Sequence, residues 1–595
     1  MPNSPSVNFE FKNENVLQTT PMLGVSCVLA RTTKGPYDDP SELIQSFSQF
    51  QRVFGSEIVP DGSVSNIEKA FNGGSKLRII RVLGKGATKG VVSAATRAKA
   101  ASAPKAAEDG SPVVASATPK EPTASTLFKF TSDSVAVGFG LVTKGYGDPV
   151  GSAETFSVNI YKQANTVYYQ VISANGQVLE QGPVVTYKTA DDNNNNDTSV
   201  DYLALSAFAK NSEYIVPVLT EKTENIKSWN NFIKWLTDDV DGTRNPIDIK
   251  LNGATITADG VKLNGTIGSA GSTPTADEWI ASLEFVKDYV DVYQIFCSHI
   301  DQHLEASADV LKVHKAAVDM VKELQEYTYY IEVPKYTTHY TQGDQPRDLK
   351  SIITWIQTCL GTVGNSKYVA YFGGGIKYYN ADGNLVDSDV LGTIAGLGDA
   401  SASQFGPWKS FAGMNRGIIY DGNGPVCPNY GSPSRTKELN ELAQNYANII
   451  CIKDVPNQGK QTLLWHCFSS QVKQDSERFL AIVRLNLYLK KNLRPILEKY
   501  LEEPNIWNTW NKIYLEVKPM LDNLVDEDAM SEYTWMGDQD ANSYNDLSVN
   551  NEADVRQGKY KATLKFKDIV PMQEITMGIY IDQASKSVSV QDVNE

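Results

Sequence analysis

Cys297, His299 and His303, in the run FCSHIDQHLEA, are the residues of this chain best placed by type and spacing to do chemistry. Two histidines at i and i+4 share one helix face, the spacing with which a zinc-dependent hydrolase holds its metal. The gap between them does not fit that motif, because Ile300 and Asp301 stand where its glutamate must come first. A satisfied structural role is the expected one, with a metal-dependent hydrolase using His299 and His303 as the remote alternative. A Ser-His-Asp arrangement would draw on five histidines, His299, His303, His314, His339 and His466, and no Gly-x-Ser-x-Gly elbow surrounds any serine. The glycine-rich pieces Gly84 to Gly90, Gly138 to Gly145 and Gly373 to Gly375 match neither the phosphate-cradling loop nor the dinucleotide fingerprint. Asp191 with Asp192, and Asp526 with Glu527 and Asp528, read as solvated carboxylates. No catalytic, cofactor-binding or metal site is expected, and no enzyme.

The elements that would have to hold such groups are those of a large globular chain. Its 595 residues exceed one hydrophobic core, so three or four domains are expected, and 41% apolar with 21% charged residues is ordinary for a soluble protein. A formal net charge of -15 argues against a surface built to release counterions from nucleic acid. The N-terminus lacks the basic and apolar regions of a signal peptide, and no window approaches the length of a membrane span. Six cysteines (Cys27, Cys297, Cys359, Cys427, Cys451 and Cys467) show no Cys-x-x-Cys pair and read as buried, reduced thiols.

Along the chain, Val7, Phe9 and Phe11 alternate with polar residues, the period of a half-buried strand. Residues 85–126 are rich in Ala, Ser, Pro and Lys and read as a linker or exposed loop. From Leu127 the pattern becomes short alternating runs between Gly, Asn and Asp clusters, the signature of antiparallel β structure. From Ser272 helices and strands alternate, with Thr273 or Thr275 as a helix cap above Asp277 and Glu278, which predicts an α/β layer. The last part is helical before it is sheet: Val472 to Tyr500 follows helical spacing with a kink at Pro495, and a second helix from Ile506 ends or bends near Pro519.

Two stretches almost four hundred residues apart carry a resemblance. Gly24 to Gly55 and Ile67 to Leu83 give a strand of small and β-branched residues, a Lys-Gly-Pro turn, a helix ending in Phe-Gly, a second helix, a Gly-Gly break and a strand ending in Arg-Val. Asn550 to Ile581 gives an Asn-x-x-x-Asp-x-x-x-Gly run leading into two strands joined through a proline turn. Together with the Thr-Pro-Thr-Ala-Asp helix start at Thr273 and the stretch Tyr368 to Gly413, they resemble the tail sheath subunit of contractile bacteriophage tails over about three quarters of the chain.

The resemblance implies a multidomain mixed α/β fold, with a core from N- and C-terminal parts, an inserted β-rich domain and extended terminal arms. The divisions it suggests are an N-terminal arm (1–22), the first part of the core (23–84), a linker (85–126), a variable insertion (127–271), an α/β domain (272–460), a domain facing the tail tube (461–581) and a C-terminal arm (582–595). It implies a helical homopolymer of stacked rings, expected to be hexameric, around a tail tube, with baseplate and terminator proteins as further partners. It also implies no nucleic-acid contact, no membrane insertion, no cofactor, assembly in the bacterial cytoplasm and residence in the virion. The arm residues Val7, Phe9, Phe11, Val588 and Val590 would pair with a sheet edge on another subunit. Arg484, Lys490, Lys491, Arg494 and Lys499 form a basic cluster that the resemblance turns toward the tube, although a solvated face is the simpler expectation. A sheath from a phage-tail-like injection system or bacteriocin is the near alternative.

Overall fold

A computed structural model of the chain describes residues 24–37, 42–60, 62–94, 124–132, 135–146, 155–163, 166–187, 200–201, 212–221, 226, 228–237, 250–251, 258–304, 306–337, 345–473, 475–537, 550, 555–573, 581–583 and 586–588. The segment VSCVLA forms β1 (Val25–Ala30), buried along its whole length, as a strand with both faces covered must be. Helix α1 (Phe47–Phe54) starts at Ser46, whose hydroxyl accepts from the Gln49 N–H, and buries Phe50 and Phe54 as a stacked pair. Helix α2 (Asn66–Asn72) is capped in the same way by Ser65, and the Gly73–Gly74 break returns the chain to β2 (Lys76–Arg81), parallel to β1. Gly73 permits a close crossing here: a Cβ on it would meet the Cα of Gly396 at 2.5 Å.

The chain then leaves this sheet and builds another. Strands β3 (Lys89–Ala94), β4 (Phe128–Ser132), β5 (Val135–Tyr146), β6 (Phe156–Gln163), β7 (Thr166–Ile172), β8 (Val178–Tyr187), β9 (Val200–Asp201), β10 (Ile215–Glu221), β11 (Lys250–Leu251) and β12 (Val261–Gly265) pair antiparallel in the order β11-β4-β5-β3-β12-β6-β7-β8-β9, with β10 also on β5. Helix α3 (Trp229–Thr237) covers it, and Phe128, Phe139, Val158, Ile215 and Phe232 form a core separate from that around β1. Strand β3 falls inside the stretch expected to be linker: Val91 and Val92 supply the β-branched pair that the surrounding Ala and Ser hide. The polar run 191–197 lies outside the described residues.

The first sheet then resumes. Helix α4 (Ala276–Leu283) is capped at Thr275, whose N–H donates to Glu278 at 2.8 Å. There follow β13 (Gln294–Cys297), α5 (Ile300–His303), α6 (Ser307–Leu324), β14 (Thr328–Val333), α7 (Leu349–Val363), β15 (Val369–Gly373), the hairpin β16 (Ile376–Tyr379) and β17 (Leu385–Ser388), α8 (Leu391–Phe405), α9 (Thr436–Gln444), β18 (Ala447–Val455) and β19 (Gly459–Leu464). The sheet order is β19-β18-β15-β14-β13-β1-β2, parallel except for β19. Strand β1 sits between β2 and β13, so Val28 is registered with both Ile79 and Phe296. The N-terminal piece is therefore an internal strand of the core. Trp279, Tyr329, Tyr371, Ile352, Ile394 and Leu442 pack around it.

Helix α10 (Leu480–Glu498) joins two cores, with Val483 and Leu487 on the large one and Leu485 and Leu489 on a smaller one. The smaller core holds Ile513, Val517 and Leu521 of α11 (Trp507–Asp526) and Trp535 of β20 (Met530–Met536), which pairs with β21 (Thr563–Asp568). Both helices continue through their prolines, Pro495 and Pro519, rather than ending there. A last hairpin joins β22 (Ile581–Gln583) to β23 (Lys586–Val588). No helix among the described residues is long and apolar enough to cross a membrane.

Candidate functional site

In an open parallel sheet, ligands bind beyond the carboxyl ends of the strands where the strand order reverses. Here that point lies between β1 and β13, since the chain runs from β1 to β2 on one side and later from β13 through β14, β15 and β18 on the other. His299 and His303 follow β13 directly, so the topology does bring the sequence candidates to the place where a site would form.

The chain itself fills that crevice. Thr32 and Glu57 form an antiparallel bridge, and the Ile58 N–H donates to the Arg31 carbonyl at 2.9 Å. One Glu57 oxygen accepts from the Ser65 hydroxyl at 2.5 Å and the Ile67 N–H at 3.2 Å, at the start of α2. The other lies 3.9 Å from His299 Nε2, with both side chains essentially inaccessible. On its opposite side His299 Nδ1 is 2.6 Å from Asp389 Oδ2, which also accepts from Gln302 Nε2 at 2.8 Å. Lys335 Nζ donates to Asp389 Oδ1 at 3.0 Å and to the Ser63 hydroxyl at 2.8 Å. Beside them the Glu332 carboxyl accepts the Val390 and Leu391 N–H groups at the start of α8.

Electrostatics follow from burial and pairing. Burial alone would push the His299 imidazole down, but the Asp389 hydrogen bond and the Asp389 and Glu57 charges hold it above its ordinary value. Burial likewise raises the Asp389 carboxyl, and Lys335 and His299 more than reverse this, leaving it well below the carboxylate range. Glu332, buried and facing Asp389, is pushed up. These groups, all buried, brace the segment around Glu57 against β13, β14 and α8.

The two histidines do not act together. His299 has a left-handed backbone (φ 49°) outside the single turn of α5, so the shared helix face assumed from the i, i+4 spacing does not exist. His303 turns instead to Arg31, 3.3 Å away, and to the Trp279 ring, and burial with the Arg31 charge pushes it down to about 3. Cys297 lies within the sheet, where burial pushes its thiol up to about 12 and the Tyr329 hydroxyl donates to it. Among the described residues no group of three or more His, Cys, Asp or Glu side chains is placed to hold a metal ion. A cleft of about 660 Å³ between α6 and α7 is lined by Asp301, Leu311, Arg347, Trp355 and Thr358 among others, with no histidine among the described residues of its wall.

The basic cluster is not a single solvated face. Arg484 is buried, donating to the Gly398 carbonyl at 2.8 Å over the Phe411 ring. Lys491 is buried between the Tyr293 and Tyr327 rings and donates to the Val290 carbonyl at 2.9 Å; burial pushes its ammonium down to about 8. Lys490 and Arg494 meet Glu326, at the entry to β14, and Lys499 pairs with Glu516 at 3.0 Å. Arg484, Leu487 and Lys491 lie on one helical stripe, and α10 turns that stripe inward against the α/β core.

Val7, Phe9, Phe11 and Val590 lie outside the described residues. Val588 pairs with Ile581 of its own chain. Sequence reasoning missed Glu57, Lys335 and Asp389, which carry no local motif and gain their partners only through strand order. It expected a strand at Thr563–Asp568 but not its pairing with β20, in a ribbon whose outer edges have no strand partner among the described residues.

No family model matches the sequence, and no curated protein does either. The chain is similar to the helical sheath of the anti-feeding prophage in its contracted state, at 15% identity over 52% of this chain and 76% of that one, with a TM-score of 0.39. It is also similar to two solved sheath tail proteins, one from Desulfitobacterium hafniense (12% identity, 90% of this chain and 94% of that one, TM-score 0.41) and one from Listeria innocua (11%, 92% and 95%, TM-score 0.48).

Proposed function

We propose that the chain is the sheath subunit of a contractile tail, polymerising helically around a tail tube and contracting to drive that tube through a host envelope. The observation that carries this reading is the joining of Val25–Ala30 to residues beyond 272 in one sheet, with strands β3 to β12 forming a separate sheet from the chain between them. Of the segments that resemble the sheath family, Gly24 to Gly55, Ile67 to Leu83 and the stretches from Thr273 and Tyr368 assemble into this common core, while Thr563–Asp568 of the C-terminal stretch pairs with β20 in the smaller lobe. The crevice where an α/β enzyme would work is filled by Glu57, which favours action by assembly over catalysis.

In this account copies associate head to tail, and a heterologous contact with a rise builds an open helix. The terminal arms, Val7 to Phe11 and the tail beyond Val588, add strands to a neighbour's free sheet edge, for which the β20–β21 ribbon is suited. Baseplate, terminator and tube proteins are the further partners, and Lys490, Arg494 and Lys499, which keep partly exposed side chains, are the tube-facing members of the basic cluster. Contraction is a cooperative shift between two packings. The same subunit serves equally in a phage or in a phage-like injection system, and capsid and terminase genes beside its own would indicate a phage.

The test compares the full chain with a version lacking residues 1–20 in a pelleting assay at rising concentration. Pelleting polymers from the full chain alone support the reading and the linking role of the arm. Equal pelleting by both removes the arm from the account, and small particles from both remove the assembly.

A further inference from the structure

A cleft of about 600 Å³ lies beside α8, closed on one side by the end of α2 and on the other by the loop 415–421. Its wall is apolar at Leu397, Ala400, Phe405, Ile418 and Tyr420. Phe405 is 48% and Tyr420 85% exposed, aromatic surface that the described residues leave to solvent. The Ser401 hydroxyl, in the same wall, belongs to a residue only 5% exposed and has no hydrogen-bond partner among the described residues. A buried hydroxyl without a partner is costly, so whatever fills the cleft gains by supplying one. Arg416 sets its guanidinium over the Phe405 ring and forms no ion pair among the described residues, whereas Lys69 is already paired with Asp421 at 2.7 Å. The described residues start at Gly24, at the edge of this cleft. Gly24 (φ 79°) packs on α8 so closely that a Cβ there would lie 2.4 Å from Ser403 Oγ and 3.0 Å from the Asp399 carbonyl oxygen. Ala400 and Gln404, the next residues along that helix, are in the cleft wall. The Gly24 carbonyl accepts the Lys76 N–H at 3.1 Å, which sets it beside the Gly73–Gly74 break, and Gly73 lines the cleft as well.

We propose that residues 14–23 of the same chain occupy this cleft as an extended segment, with Val16 and Leu17 over Phe405 and Tyr420, Glu14 at Arg416, and a backbone group on the Ser401 hydroxyl. The sequence suits the seat: Val16-Leu17 and Met22-Leu23 are apolar pairs, Glu14 supplies the missing carboxylate, and Pro21 holds Thr20 extended. The reach suffices. From Thr393 to Phe405 the wall follows twelve residues of helix, about 18 Å, and Val16 to Leu23 span up to about 26 Å when extended. A segment tethered at Gly24 is present at an effective concentration on the order of millimolar, which favours it over the same segment of a second copy. Val7, Phe9 and Phe11 are left beyond the cleft, so the seat fixes where the arm departs toward a neighbour; only that purpose rests on the sheath reading.

Photo-crosslinking of the full chain tests it. The photoreactive residue p-benzoylphenylalanine replaces Tyr420, and an equal mixture of isotope-light and isotope-heavy copies is irradiated at a concentration where they stay monomeric. Mass spectrometry is expected to find residues 14–23 joined to position 420, light to light and heavy to heavy. Q404W fills the cleft from an exposed position, and V16D/L17D removes the apolar contact; each lowers that yield at least about tenfold. Thermal midpoints are read alongside, and Q404F or V16S/L17S replaces any variant that unfolds early. Light-to-heavy products as the main species would give the cleft to a second copy and overturn the proposal. Crosslinks only to residues outside 14–23, no crosslink, or a yield indifferent to both variants overturns it as well. Wild-type tubes with no such crosslink would leave the sheath reading standing without this seat. The expected crosslink in a chain that never polymerises would do the reverse.

Discussion

His299 Nδ1 lies 2.6 Å from Asp389 Oδ2, joining the end of β13 to the start of α8 in a site where neither side chain is more than 6% exposed. Asp389 is also the carboxylate that neutralises Lys335, so three elements depend on one group. Asp389→Asn leaves both cations without their counter-charge and is expected to lower stability by about 3–5 kcal/mol, the cost of breaking one side of a buried pair. Chemical denaturation of the two proteins measures it; a loss under about 1 kcal/mol would mean that the site is more hydrated than its burial indicates.

His314 supplies a pH dependence whose sign can be worked out. Burial pushes it down to about 3 while its Nδ1 stays 2.8 Å from the Tyr329 hydroxyl. Its folded value lies below its unfolded one, so the unfolded chain binds the extra proton, and the stability is present above about 6.5 and lost as pH falls toward 3. His314→Gln removes that proton uptake. The stability difference between wild type and variant should therefore shift in favour of the variant between pH 6.5 and 4, read by thermal midpoints in the same buffers. A difference independent of pH contradicts this.

The clasp between α10 and the α/β core gives a pair of opposed outcomes. Glu326 receives Lys490 and Arg494 and lies 3.8 Å from Lys491. Burial raises its carboxyl, and those cations outweigh burial and hold it below its ordinary value. Glu326→Ala strands the buried Lys491 and should cost about 1.5–3 kcal/mol. Lys491→Met keeps the volume between Tyr293 and Tyr327 and should cost little or be neutral, because an apolar isostere needs no counter-charge. Equal losses from both substitutions would show that Lys491 acts through its charge.

Elements whose signal is local were legible. TYYIEVP is strand β14, DLKSIITWIQTCLG is helix α7 with Asp348 as its cap, and the Ser46 and Ser65 helices lie between the strands where their patterns place them. What depends on which strands are neighbours was not. Glu57, His299 and Asp389 meet only because β1 enters between β2 and β13. Arg484 and Lys491 look like solvent cations in sequence, yet α10 is covered on that stripe, where each lies against aromatic rings and donates to a backbone carbonyl. Pro495 and Pro519 lack the N–H of an interior helical turn and still leave their helices continuous, because packing on the smaller core, which both helices share, outweighs the lost bond.

Negative-stain electron microscopy of the purified full chain at rising concentration tests the central claim most directly. The account predicts hollow helical tubes of uniform width that lengthen with concentration. Discrete particles of fixed size at every concentration would contradict it.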